Sequence, residues 1–173
     1  MERAGSFTAV SGWGQVLVGL IGLIAAFAAA RAASPAAGVQ IWLVAAIVST
    51  PVAAGAMALK ARATNTPLFS GPGRKFVSSF APPLVAGAVL TIVLYNAGQF
   101  GWLPGVWLLL FGTAVATGGA FSVRVVPIMG LCFMALGIAA FVTPALLGNH
   151  LLAAGFGGIN IAFGLVIAVK HGG

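Results

Sequence analysis

The chain has 173 residues, of which 61% are hydrophobic and 5% charged, and its mean hydropathy is +1.13. A soluble domain carries about 25% charged residues, so the composition excludes an ordinary soluble fold and points to an integral membrane protein. The formal charge of +7 comes from eight Lys and Arg against a single acid, Glu2; scattered over separate loops and tails, these cations form no dense basic stripe, which excludes a nucleic-acid-binding module.

The N-terminal stretch MERAGSFTAVSGWGQ leads into an apolar run that ends AAARAAS. That end resembles a signal-peptide cleavage site, but the run is long enough to span and is read as a retained first helix. A spanning helix needs about 20 mostly apolar residues. On that basis the spans fall at 12–30, 39–59, 77–95, 104–120, 125–146 and 151–169. The expected fold is all-α: one polytopic bundle of six transmembrane helices, arranged as three in–out–in hairpins at 12–59, 77–120 and 125–169. One longer loop, 60–76, separates the first two hairpins.

Lys and Arg favour the cytoplasmic side of a membrane. With six spans, the N-tail, the second and fourth loops and the C-tail share one side. That side holds Arg3, Lys60, Arg62, Arg74, Lys75, Arg124 and Lys170, and the other holds only Arg31. Both termini are therefore expected inside, in a multi-pass protein of a bacterial inner (cytoplasmic) membrane. Lys60, Arg62, Arg74, Lys75, Arg124 and Lys170 are the expected contacts to anionic headgroups. Trp13, Trp42, Trp102, Trp107 and Tyr95 lie near proposed helix ends, where amphipathic rings favour the headgroup region.

Two hairpins share a pattern. Gly5, Phe7 and Thr8 at the entry to the first helix match Gly119, Phe121 and Ser122 at the entry to the fifth. GLIAAF (22–27) matches GIAAF (137–141) with one gap, and ALKAR answers AVKHG at the ends of the second and sixth helices. The middle hairpin begins GPGRKFVSSFAPP, a weaker match. The pattern reads as parallel internal repeats. The last hairpin, GLCFMALGIAAFVTPALLGNHLLAAGFGGINIAFGLVIAVKH, has small residues spaced along its first helix and a Pro at the outer end. A short turn and a second Gly-rich helix ending in a base follow. In this it resembles one repeat of the HdeD-type membrane proteins. The resemblance implies six helices in three hairpins and an association with bacterial acid resistance; it carries no catalytic motif.

Without acids in the spans, only neutral polar groups remain there. Thr50, beside Ser49 and Pro51, lies ten residues before Lys60; Asn160 lies ten before Lys170; Thr113 lies eleven before Arg124. At about 1.5 Å per residue each is about 15 Å from its basic end, near the midplane. Asn160, Thr50, Thr113 and Ser49 thus form the candidate midplane polar site. Pro51 is expected to release a backbone carbonyl there. The competing reading of these residues is hydrogen bonding between helices, at about 0.6 kcal/mol each.

Glycines recur at close spacing: Gly12, Gly19 and Gly22 in the first helix, Gly130 and Gly137 in the fifth, Gly157 and Gly164 in the sixth. Such spacing suits close helix packing. In the long loop, Gly71-Pro72-Gly73 predicts a tight turn beside Arg74 and Lys75, with Leu68 and Phe69 dipping into the interface. Cys132 is the single cysteine, so no intrachain disulfide or thiolate cluster is expected. His150 and His171 fall on opposite sides of the bilayer and cannot share a metal. No cofactor is expected.

A non-enzymatic protein of the stress-response or accessory kind is therefore expected, acting through helix packing, a membrane partner or a homo-oligomer in a bilayer with anionic headgroups. The alternative is a small transporter or channel for a neutral solute at the midplane site. Catalysis ranks last, because no nucleophile, base and carboxylate can be assembled.

Overall fold

The structure, a computed structural model, describes residues 10–64 and 71–171. Six of its helices are long and apolar enough to cross a membrane. They are α1 (Gly12–Ala29), α2 (Pro35–Ala63), α3 (Gly71–Asn96), α4 (Leu103–Gly119), α5 (Val125–Val142) and α6 (Ala145–His171). Ser11 and Ser34 cap α1 and α2, their hydroxyls accepting from Gly14 and Ala37 N–H at 3.2 Å. Such caps satisfy amides that have no partner within the helix.

Both helices flanking the long loop run further than the sequence predicts. α2 begins at Pro35, where the missing N–H costs no hydrogen bond, and continues through Lys60 and Arg62 to Ala63. Gly71-Pro72-Gly73, expected as a tight turn, is instead the first turn of α3. The reason is the same: a proline in a first helical turn interrupts nothing. Leu68 and Phe69 lie outside the described residues, as do Glu2, Arg3, Gly5, Phe7 and Thr8. α3 ends in a turn at Gly98, whose φ of 69° favours glycine.

The helices pack as two groups. α1 lies between α2 and α6, and α4 lies between α3 and α5. α5 and α6 follow each other in the chain, yet each packs far more on another helix: α5 on α4, which precedes it, and α6 on α1, at the far end of the chain. The last hairpin of the sequence reading is thus split between the two groups. α6 joins them, with its N-terminal part against α4 and its middle against α5.

Glycine explains which pairs pack closely. A Cβ on Gly164 of α6 would lie 2.8 Å from the Gly12 oxygen and 2.9 Å from the Val16 nitrogen. A Cβ on Gly112 of α4 would lie 2.7 Å from the Gly130 oxygen and 2.7 Å from the Met134 nitrogen. Only a residue without a side chain allows such contact between backbones. The two pairs share a register: Gly12 meets Gly164 and Ala168, while Gly130 meets Gly112 and Ala116. One turn group along, Gly19 meets Gly157 and Ile161, and Gly137 meets Leu109. By contact, then, Gly137 answers to Gly19, not to the Gly22 of the residue match.

Between the groups lies an apolar centre. Leu103, Leu108, Phe133 and Ile167 have no exposed surface. Phe111 of α4 meets Phe133 of α5 at 4.9 Å and Phe156 of α6 at 5.1 Å between ring centroids. Edge-on and tilted rings at these distances contribute beyond their area. α3 contains Pro82 and Pro83 without ending. Pro83 cannot donate to the Ser79 carbonyl one turn back; the Thr117 hydroxyl of α4 lies 2.9 Å from it and shares its one proton between that oxygen and the Thr113 oxygen of its own helix, at 2.8 Å. α2 and α3 are the outer helices: 6% of the most apolar stretch of α2 is buried, against 39% for α4.

Successive helices run in opposite directions, so Lys60, Arg62, Arg74, Lys75, Arg124 and Lys170 gather at one end of the bundle. There Lys60 bonds to both Val10 and His171, and Lys75 stands 6.0 Å from the Phe121 ring. Arg31 lies at the opposite end, where Gln40 donates to Tyr95 across α2 and α3 at 3.0 Å.

The close pairs make a sharp contrast testable. A Cβ at Gly130 would run into the Ala116 backbone, whereas one at Gly55 meets nothing within 4 Å. We expect Gly130→Ala to destabilise by about 2 kcal/mol or more, as overpacking does. Gly55→Ala should be neutral or slightly stabilising. Thermal unfolding of the purified protein, followed by size-exclusion fluorescence, compares them.

Candidate functional site

Among the described residues Asn160 is the most fully buried polar side chain, with 0% of its surface exposed. It sits on α6 directly after a π-helical stretch, Ala153–Ile159. That stretch reads AAGFGGI, and its small residues tolerate a widened turn. The backbone N–H of Asn160 turns to the Gly157 oxygen. The Phe156 oxygen, which that N–H would reach in a regular α-helix, accepts instead from Asn160 Nδ2 at 2.9 Å. The amide oxygen Oδ1 is buried and has no hydrogen-bond partner. An unsatisfied buried acceptor costs about 1–3 kcal/mol, so Asn160 is not there for apolar stability.

The other members of the expected site lie apart from it. Thr50 is exposed on α2, and its hydroxyl donates to the Ala46 carbonyl of the same helix at 2.8 Å. Ser49 beside it is half-buried. Pro51 lies within α2, also exposed. Thr113 is half-buried on α4, and its hydroxyl donates to Leu109 at 2.8 Å. Similar depth did not bring these groups together, because depth fixes position along a helix and not the face. α2 packs chiefly on α1 and turns Thr50 outward.

Sequence reasoning missed a second polar cluster. Asn149, near the start of α6, accepts from Trp42 Nε1 at 3.0 Å and donates to the Ala26 oxygen at 2.9 Å. It ties α2, α6 and α1 in one place. Trp42, expected at the headgroups, is 6% exposed and also meets Phe156 at 6.0 Å. Trp107 likewise turns inward, donating to the Thr91 hydroxyl at 2.8 Å. Trp13 and Trp102 remain exposed. His150, next to Asn149, is exposed, as is His171 at the other end. The available signal was an Asn next to an outer turn, facing a Trp at the same depth.

The basic residues divide. Arg62, Arg74, Lys75, Arg124 and Lys170 are exposed, as headgroup contacts require. Lys60 departs from that expectation: it is 6% exposed, and its ammonium donates to the Val10 and His171 oxygens, both at 3.0 Å. The extra turn of α2 places it inside, where it closes the end of α6 and the entry to α1. Carbonyls at a helix C-terminus attract a cation. The lone thiol, Cys132, is half-buried. Among the described residues no three His, Cys, Asp or Glu side chains come together.

No protein-family model, no curated protein and no solved structure matches the chain. The class that the helices define is that of a multi-pass helical membrane protein.

The Lys60 contacts give a testable outcome. Lys60→Met removes two charge-assisted bonds that are each worth about 1.5–3 kcal/mol. It should lower the unfolding temperature and expose the α6 end to protease, whereas Arg62→Gln, at an exposed position, should change neither. Equal protease sensitivity in both variants would show that Lys60 holds nothing.

Proposed function

We propose that the chain is a multi-pass protein of a bacterial inner membrane, with both termini cytoplasmic. It acts without catalysis, through its helix surfaces and a membrane partner or second copy, in a stress-response or accessory role. One observation carries the reading: among the described residues, the apolar bundle bears all its exposed Lys and Arg but Arg31 at one end. Those cations suit the anionic headgroups of a cytoplasmic leaflet. The outer helices support the same reading. Ile47 and Val44 of α2, and Val85 and Ile92 of α3, are each about 60–70% exposed, which offers apolar surface to lipid or to another helix. The shared register of the two glycine-lined pairs supports an internal repeat. The likeness of the last hairpin to HdeD-type proteins supports the link to acid stress.

Two measurements test this reading. Single cysteines replacing Arg74 and Arg124, in a Cys132→Ser background, should react with impermeant maleimide only after the inner membrane is opened; one replacing Arg31 should react in intact spheroplasts. A strain lacking the protein should grow more slowly than its parent after a low-pH challenge, and unimpaired growth would remove the stress role.

Asn160 favours a second reading, passage of a small neutral solute. Its buried amide oxygen is an acceptor without a partner, as a midplane contact for an uncharged hydrogen-bond donor would need. Uptake into proteoliposomes should then exceed that of empty vesicles and should fall in Asn160→Leu.

A further inference from the structure

We propose that the π-helical stretch of α6 is a two-register switch, held in its wide form by the Asn160 side chain. The Phe156 carbonyl has two possible donors on one residue. In the structure it is served by Asn160 Nδ2 at 2.9 Å, while the Asn160 backbone N–H goes to Gly157. In an α-helical register the same backbone N–H returns to Phe156 and releases the carboxamide. The count of hydrogen bonds at Phe156 is equal in the two forms. The α-helical form leaves the buried carboxamide nitrogen unpartnered, so it is the minor of the two states. Asn160 Oδ1 is fully buried and unpartnered, so the side chain holds the wide form through its nitrogen alone.

The switch sits where a change of register is felt widely. Phe156, within the stretch, meets Trp42 of α2 at 6.0 Å, Phe111 of α4 at 5.1 Å and Phe133 of α5 at 5.4 Å. The Phe156 and Gly157 backbones lie against Gly22 and Gly19 of α1. The stretch therefore touches four other helices. Gly158 faces open space, so its small size serves the freedom of the backbone and not packing. Removal of an interior π turn rotates the part of α6 beyond it, which carries Gly164 and Ile167 into the bundle, relative to the part that carries Asn149. Trp42 reads both parts, through its bond to Asn149 and its contact with Phe156. The switch requires no transported solute.

Fluorine NMR of the full chain in lipid nanodiscs, with 5-fluorotryptophan at its four tryptophans, tests the proposal. Trp42 is assigned by its loss in Trp42→Phe, and Trp107, bonded between α3 and α4, serves as reference. In the native protein Trp42 should show a second resonance in exchange on the microsecond-to-millisecond timescale of helix register shifts. Asn160→Leu should move the population ratio about tenfold toward the second form, the worth of one such bond. A single Trp42 resonance without exchange in the native protein overturns the switch, and so does an unchanged ratio in Asn160→Leu. Should the Leu variant not fold, the native exchange measurement decides alone.

Discussion

Direct contact between backbones in two antiparallel helix pairs is the constraint on which the rest of the bundle depends. α1 against α6, and α4 against α5, approach so closely that a methyl group at Gly164 or Gly112 would lie within 3 Å of main-chain atoms. Lipid is as apolar as Leu, so burial of apolar side chains does not by itself bring helices together in a bilayer; close packing and interhelical hydrogen bonds do. Once the pairs are set, the remaining elements have defined places. α2 leans on α1, α3 leans on α4, and the middle of α6 supplies Phe156 to the aromatic centre.

The polar side chains serve this frame more than they form a reaction centre. A bilayer core offers no water to a free carbonyl, and the bundle answers with local donors. Thr117 shares its proton with the carbonyl released by Pro83, Asn160 covers the one left by the π turn, and Asn149 bridges Trp42 to Ala26. Lys60 closes two chain ends in the same manner. Asn160, with no exposed surface, keeps an unspent acceptor, which is why both the solute reading and the register switch converge on α6.

Much of the architecture was legible in the sequence, because hydropathy and charge report directly on a bilayer. The number of spans and the gathering of cations at one end needed only apolar runs and the places of Lys and Arg. The glycine rows in α1, α5 and α6 also stood out by spacing, and they mark the packing faces. What spacing could not give was the partner of each face. Reading hairpin by hairpin pairs α6 with α5, and it passes over Gly105, Gly112 and Gly119 of α4, which occur at the same spacing. The polar site failed for a related reason. Thr50 and Asn160 share a depth but face opposite environments, one exposed and one fully buried. Lys60 and Trp42 look like interface residues by composition; their inward turn follows from a longer α2 and from the position of Asn149. The π turn has no sequence signal beyond a run of small residues.

The pairing of α6 with α1, across the whole length of the chain, is the claim that most directly separates this bundle from three independent hairpins. Disulfide cross-linking in native membranes measures it, on a Cys132→Ser background. The Asn149 carboxamide of α6 reaches the Ala26 oxygen of α1 at 2.9 Å, which brings these two residues side by side without touching a packing glycine. Ala26→Cys with Asn149→Cys should therefore form an intramolecular bond on mild oxidation. Failure of that pair, with efficient bonding between cysteines at Ile128 of α5 and Leu165 of α6, would contradict the account and restore α5 and α6 as a closed hairpin.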